Sequence, residues 1–334
     1  MKLKKILAAV VSVAMLGTMS LMTGCNDTTG PGTDDSDNAS TDKIYNIGVC
    51  QFMEHEALGA ATQGFSDKLT ELLGADHVNI KVQTAQGETT NCVTIVNSFI
   101  SSDVDLILAN ATPPLSTAVN ATDAIPIIGT SITDYASALG VSDWNGKSGR
   151  NVTGTSDLAP IDQQEKLLLE LYPNPELVGI LYCSSEPNSK YQAELFEAAL
   201  EADGVAYKEF TAADSNDISS VTQAAVDQCD ILYIPTDNTF ADHTETIKNI
   251  VLPAKTPVIA GEEGICGVCG VATLSISYYD IGTISAEMAY EILVNGADPG
   301  EMEIRNAPKF TKKYNAEMCE ALNITPPEGY EAIA

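Results

Sequence analysis

From Ile44 onward, short apolar runs rich in Val and Ile alternate with longer stretches in which apolar residues recur every three or four positions. The short runs have the length and β-branching of buried strands, and the longer ones have the period of an amphipathic helix. Strands are therefore predicted at 44–50, 78–83, 105–109 and 126–129, with helices at 57–73, 90–101 and 114–121 between them. After Gly154-Thr155-Ser156-Asp157 the cycle restarts, with strands at 177–182, 206–210, 231–234, 257–260 and 272–276. The accompanying helices are expected at 161–172, 188–201, 219–226, 244–252 and 281–293. Parallel strands need a long crossover, usually helical, so this alternation predicts parallel sheets. Two successive cycles predict an α/β protein of two doubly wound lobes. The first lobe is expected to take residues 44–156 plus about 279–306, and the second 157–278 plus about 307–334.

Residues 1–43 break the pattern. Lys2, Lys4 and Lys5 precede an apolar run over residues 6–16, followed by Leu21-Met22-Thr23-Gly24-Cys25. A positive start, a short apolar stretch and a small residue before a cysteine form the layout of a lipoprotein signal, with Cys25 as the lipidated residue. Met22 departs from the Leu, Val or Ile usual at its position. The run is shorter than the roughly 18 residues of a spanning helix, so residues 1–24 read as a signal peptide that is removed. Residues 26–43 are mostly Thr, Gly, Pro, Asp, Ser and Asn, which cannot bury enough apolar surface to offset the entropy of ordering. With Cys25 they are expected to form a flexible tether (25–43) reaching about 20 to 25 Å. The expected location is the outer face of the cytoplasmic membrane, with the lipid as the sole membrane contact.

Seventeen basic residues stand against 46 acidic ones, a net charge of −29 that becomes −32 without the three leader lysines. Such an excess argues against nucleic acid or an anionic lipid surface as a partner. Of eight cysteines, lipidation of Cys25 leaves an odd seven, so at least one stays free or pairs between chains. Cys50, Cys183 and Cys229 lie in or beside strand patterns, where cysteine acts as a small buried hydrophobe. Cys266-Gly267-Val268-Cys269 has no second ligand pair for zinc, and it reads as a turn entering a strand, not as the helix start of a redox site. No metal and no cofactor are expected.

In open α/β sheets, ligands bind beyond the carboxyl ends of the strands, where helix N-termini present free N–H groups. Those loops carry Gln51, Glu54, His55, Thr112 and Ser131 in the first lobe. In the second they carry Ser184, Ser185, Asn188, Asp237, Asn238 and Glu262. Thr112 and Asp237 can also serve as helix caps. Hydroxyls and free N–H groups near Thr112 and Ser131 suit a ligand carboxylate. Asp237 or Glu262 suits a ligand ammonium, and the combination selects an amino acid or a similar zwitterion.

Several segments then identify a resemblance: Ile47-Gly-Val-Cys-Gln51-Phe-Met-Glu54-His55-Glu-Ala-Leu58, Ala109-Asn-Ala-Thr112-Pro113, Asn151-Val-Thr-Gly-Thr-Ser-Asp157, Tyr182-Cys-Ser-Ser-Glu186-Pro-Asn188-Ser189, Pro235-Thr-Asp237-Asn238-Thr239 and Gly261-Glu262-Glu263-Gly264. Over residues 44–324 the chain resembles the substrate-binding lipoproteins of ABC transporters of the tryptophan/tyrosine type. The resemblance implies a type I periplasmic-binding-protein fold with three crossing segments, closure by a hinge, an ABC permease and ATPase as partners, and an aromatic amino acid as the favoured ligand. Cys50, Cys183 and the Cys266/Cys269 pair depart from the pattern near the cleft. Phe52, Tyr182 and Tyr279 are candidates for stacking on a ligand ring. Trp144 is expected in a surface loop.

Two other function classes fit parts of the sequence. His55 between Glu54 and Glu56, or the Glu262-Glu263 pair, could serve acid–base catalysis. No nucleophile elbow, metalloprotease helix or phosphate-binding glycine turn accompanies them, and Gly146-Lys147-Ser148 lacks P-loop spacing, so an enzyme is not expected. A ligand-sensing lipoprotein that signals through a membrane kinase, or a binder of a different small polar solute, would share the same pocket logic.

Overall fold

The computed structural model describes residues 43–333; the leader, Cys25 and all of the tether but Lys43 lie outside the described residues. Two sheets form the body. The first takes β1 (Tyr45–Gln51), β2 (Val78–Thr84), β3 (Leu106–Asn110), β4 (Ile127–Ile132) and β5 (Val152–Ser156), connected by α1 (Glu56–Leu73), α2 (Thr89–Ser101), α3 (Thr112–Ala121) and α4 (Tyr135–Leu139). The chain then builds α5 (Ile161–Leu171), β6 (Val178–Cys183), α6 (Pro187–Asp203), β7 (Tyr207–Ala212), α7 (Ile218–Val226) and β8 (Ile231–Ile234). The second cycle closes with α8 (Asn238–Ala241), α9 (Thr244–Ala254), β9 (Val258–Ala260), α10 (Glu263–Val268) and β10 (Ala272–Ile276). Last come α11 (Tyr278–Leu293), β11 (Arg305–Asn306), β12 (Phe310–Tyr314), α12 (Ala316–Leu322) and β13 (Glu331–Ala332).

The first sheet has the order β11-β5-β4-β3-β1-β2 and is parallel throughout; the second runs β13-β12-β10-β9-β8-β6-β7 with β12 antiparallel to β10. The chain passes between the sheets three times: after β5, between β10 and α11, and between β11 and β12. Alternate side chains of a strand point to opposite faces, and both faces of the first sheet are buried. Ile47, Val49, Leu106 and Leu108 pack on one side with Phe65 and Ala286 of α1 and α11. Cys50, Ile107 and Ala109 pack on the other with Val96 and Leu115 of α2 and α3. The α1–α11 contact is close enough that a Cβ on Gly282 would lie 2.1 Å from the Ala61 carbonyl oxygen.

Several sequence expectations change here. The strand predicted to stop at 129 continues to Ile132, with a register shift between Gly129 and Ile132. Gly129 is not a turn glycine. It faces Gly154 of β5, and a Cβ there would sit 2.5 Å from the Tyr135 hydroxyl, which donates to the Gly129 and Thr155 carbonyls. The segment from Val152 to Ser156, rich in Thr, Gly and Ser, is a full strand because both its neighbours supply ladder partners. Cys266 lies within α10 and Cys269 at its end, not in a turn, because Glu262 caps a short helix there. All seven described cysteines are free and buried. Trp144 stacks on Tyr135 at 6.2 Å between ring centroids.

Candidate functional site

The carboxyl ends of β3, β4 and β5 lie side by side, tied by the Ala111 N–H to the Thr130 carbonyl (3.1 Å) and the Asp157 N–H to the Ile132 carbonyl (3.2 Å). Two residues in this row have a backbone that L side chains rarely adopt, Ala111 at φ +99° and Ser131 at φ +57°. Such strain persists where the surroundings over-determine it and concentrates at ligand sites. Ala111 precedes α3, whose first turn carries no acidic side chain and whose Thr112 is buried. The free N–H groups of that turn are suited to an anion. Ser131 is 5 % exposed, and its hydroxyl has no hydrogen-bond partner.

Asp157 begins the first crossing segment and is 4 % exposed. Its Oδ1 accepts from the Thr133 hydroxyl (2.8 Å) and its Oδ2 from the Tyr278 hydroxyl (3.1 Å). Burial pushes its carboxyl above the ordinary value despite these two donors. Among the described residues, no Lys, Arg or His forms an ion pair with it. A buried carboxylate without a counter-charge is costly to ionise. Asp157 was noted in the sequence only as part of a motif. Its signal was an acid at a strand end with no helix immediately after it to cap.

In the second lobe the acids are occupied. Asp237 caps α8 by accepting from the Phe240 N–H, and its other oxygen accepts from the Cys183 N–H at 2.6 Å. Burial and then the nearby Glu186 raise its pKa to about 8. Glu262 likewise caps α10 through the Gly264 and Ile265 N–H groups, and burial raises it to about 7. Glu186, not singled out from the sequence, accepts from the backbone and side chains of Asn238 and Thr239. Asn188 opens α6; its Nδ2 donates to Glu186, Ser189 and the Thr236 carbonyl, and its Oδ1 is buried and unpartnered. Ser184 is exposed and donates to the Ala212 carbonyl within its own lobe. Ser185 is exposed at the edge of the cleft.

The remaining candidates divide as well. Gln51 is buried and tied within the first lobe, donating to the Met53 carbonyl and accepting from Thr62. Glu54 is exposed. His55 contacts Asn238 across the lobes, Nε2 to Oδ1 at 3.1 Å. Tyr279 is 42 % exposed and donates to Asp67 on α1; its neighbour Tyr278 is the buried tyrosine that reaches Asp157. One residue of helical rotation, about 100°, separates the two. Phe52 and Tyr182 are both buried in lobe cores, Tyr182 with its hydroxyl on Glu209. A cavity of about 590 Å³ lies along α2 (Val93, Asn97) and α3 (Thr112, Ser116, Asn120) and reaches the start of α6 (Ser185, Pro187); Asp157, Ser131 and Tyr278 do not line it.

Residues 46–334 match the family described as ABC transporter substrate binding protein. A tyrosine-binding protein of Clostridioides difficile (strain R20291) is 33% identical over 327 residues, covering 97% of this chain and 93% of that one. An ABC domain from Streptococcus pneumoniae in complex with L-Trp is 31% identical, covers 87% of this chain and 100% of its own, and superposes with a TM-score of 0.82. The ligand-free, open structure of the Clostridium difficile substrate-binding protein CD0873 is 32% identical with 87% and 99% coverage, yet its TM-score is 0.67. At nearly equal identity and coverage, the present structure superposes more closely on the L-Trp complex than on the ligand-free, open one.

Proposed function

Because the chain belongs to the ABC transporter substrate-binding proteins, we propose that it captures a free amino acid, the aromatic ones first, between its two lobes and hands it to a membrane permease and its ATPase. The observation that carries this reading is Asp157, a buried carboxylate with no counter-charge among the described residues, beside the unpartnered Ser131 hydroxyl and the uncapped start of α3. Asp157 would receive the ligand ammonium, aided by the free Oδ1 of Asn188 from the facing lobe. The N-terminus of α3 with the Ser131 hydroxyl would receive the carboxylate. The tyrosine and L-Trp named for the two relatives support an aromatic side chain.

Lobe closure then works through the three crossing segments, one of which carries Asp157 and another Tyr278. Ligand capture and hinge geometry share one hydrogen bond. The lipid on Cys25 would hold the receptor at the outer face of the membrane, where tethering raises its effective concentration at the permease. Calorimetry against the twenty amino acids, with sugars and small peptides as controls, tests the substrate; binding of sugars or peptides and of no amino acid would refute it. Membrane fractionation of a Cys25→Ser variant tests the anchor, which predicts a released protein with unchanged affinity. A variant that stays with the membrane would rule the anchor out.

A further inference from the structure

We propose that His55 and Asn238 form a clasp between the lobes, a hydrogen bond made in the closed arrangement that holds the ligand in without touching it. This inference rests on the reading that ligand capture closes the lobes. His55 stands at the N-terminal boundary of α1 in the first lobe and Asn238 opens α8 in the second, and their side chains meet at 3.1 Å. Asn238 is not free to turn. Its backbone N–H and its Nδ2 both donate to Glu186 Oε2, at 3.0 and 2.6 Å, and Thr239 secures the other oxygen of that carboxylate. The amide therefore presents Oδ1 to the first lobe as a fixed acceptor, and His55 must donate from Nε2. Among the described residues the imidazole makes no other hydrogen bond.

Every titratable group that faces His55 is acidic. Glu54 and Glu56 flank it, Glu186 and Asp242 face it from the second lobe, and Glu262 shares with it an interlobe cavity of about 210 Å³. Burial lowers the imidazole pKa below its ordinary value, and that effect exceeds the opposing pull of the Asn238 bond and of these carboxylates. Opening the lobes returns the ring to water and to about 6.5. The open form therefore binds a proton more readily than the closed one, and acidification through that value favours opening. His55 is thus a positioning residue for capture, and it makes retention of ligand pH-dependent.

The test uses the whole soluble body with L-tryptophan and L-tyrosine as probes, with His55→Ala and His55→Gln as variants. At pH 7.5 His55→Ala should bind about fivefold more weakly, the scale of one net hydrogen bond. His55→Gln, which keeps a donor but cannot titrate, should recover most of that loss and show less acid weakening than the wild type. Carbon-13 NMR of the three histidines, with the His55 signal assigned by its absence in His55→Gln, should show its titration midpoint fall when ligand saturates the protein. An unchanged midpoint, or wild-type affinity in His55→Ala, would overturn the clasp. If the wild type binds neither amino acid, the substrate reading fails separately. The same titration is then run with whichever of the calorimetric controls, the sugars or small peptides, binds, and a His55 midpoint that does not fall when that solute saturates the protein overturns the clasp.

Discussion

Replacing Asp157 by Asn separates ligand binding from folding. The substitution keeps size and an oxygen acceptor but removes the charge. Among the described residues the side-chain donors to this carboxylate are the Thr133 and Tyr278 hydroxyls, at 2.8 and 3.1 Å, and burial raises its pKa. The raised value means that the buried charge works against the fold, so the Asn variant should unfold at the same temperature or slightly higher. With an amino acid present the sign reverses. A hydrogen bond to a charged group contributes about 1.5 to 3 kcal/mol, and each 1.4 kcal/mol is tenfold in affinity, so binding should weaken by roughly 10- to 100-fold. The pH dependence follows from the same group. An ammonium favours ionised Asp157, so ligand binding expels its proton, and wild-type affinity should fall as pH drops toward the raised pKa. The Asn variant should lose that contribution. Calorimetry between pH 5 and 8 beside thermal melts measures both. Affinity within threefold of wild type, or a loss of affinity accompanied by an equal loss of stability, would refute the assignment.

Asp237→Ala should act on the fold and not on the ligand, lowering stability by about 2 kcal/mol through a lost cap and an unsatisfied Cys183 N–H while affinity stays within about threefold. Its folded pKa near 8 lies above the unfolded value of about 3.9, so the folded chain holds an extra proton between those limits and loses stability as pH rises. Denaturation midpoints of the Ala variant should lack that part of the slope, and a tenfold fall in affinity at unchanged stability would reassign Asp237 to the ligand. Gly282→Ala places a methyl 2.1 Å from the Ala61 carbonyl oxygen, so α1 and α11 must part at a cost of about 1 to 3 kcal/mol. A urea midpoint equal to wild type would show that these helices separate freely.

The fold was legible because its signals are local and repeated. Val and Ile runs alternating with amphipathic stretches name both the strands and their parallel order, and nearly every predicted strand lies within a residue or two of its observed span. Legibility failed where tertiary partners override composition. Val152-Thr-Gly-Thr-Ser156 has the residues of a loop and is a strand, since β4 and β11 flank it. Gly129 has the look of a turn and instead clears space for the Tyr135 hydroxyl. The tyrosine at the cleft could not be chosen from the pair 278–279, because the rotation of α11 is set by its packing on Gly64 and Ala61 of α1.

The acids of the candidate site were less legible than the fold, and the reason is chemical. An acid at the end of a strand in an α/β sheet usually stands beside a helix N-terminus, whose N–H groups need acceptors whether or not a ligand is present. Asp237 meets that need with one oxygen and holds the Cys183 N–H of β6 with the other, Glu262 meets it with both, and Glu186 does so for its neighbours Asn238 and Thr239. Their carboxylates are spent inside one lobe. Asp157 enters a crossing segment, and three residues separate it from the α5 start, so no helix claims it. The donors it does have come from Thr133 and from Tyr278 of a second crossing segment, elements that the sequence places 24 and 121 residues away. In a binding lobe of this kind, the acid to assign to the ligand is the one that no backbone N–H from a helix start has already taken.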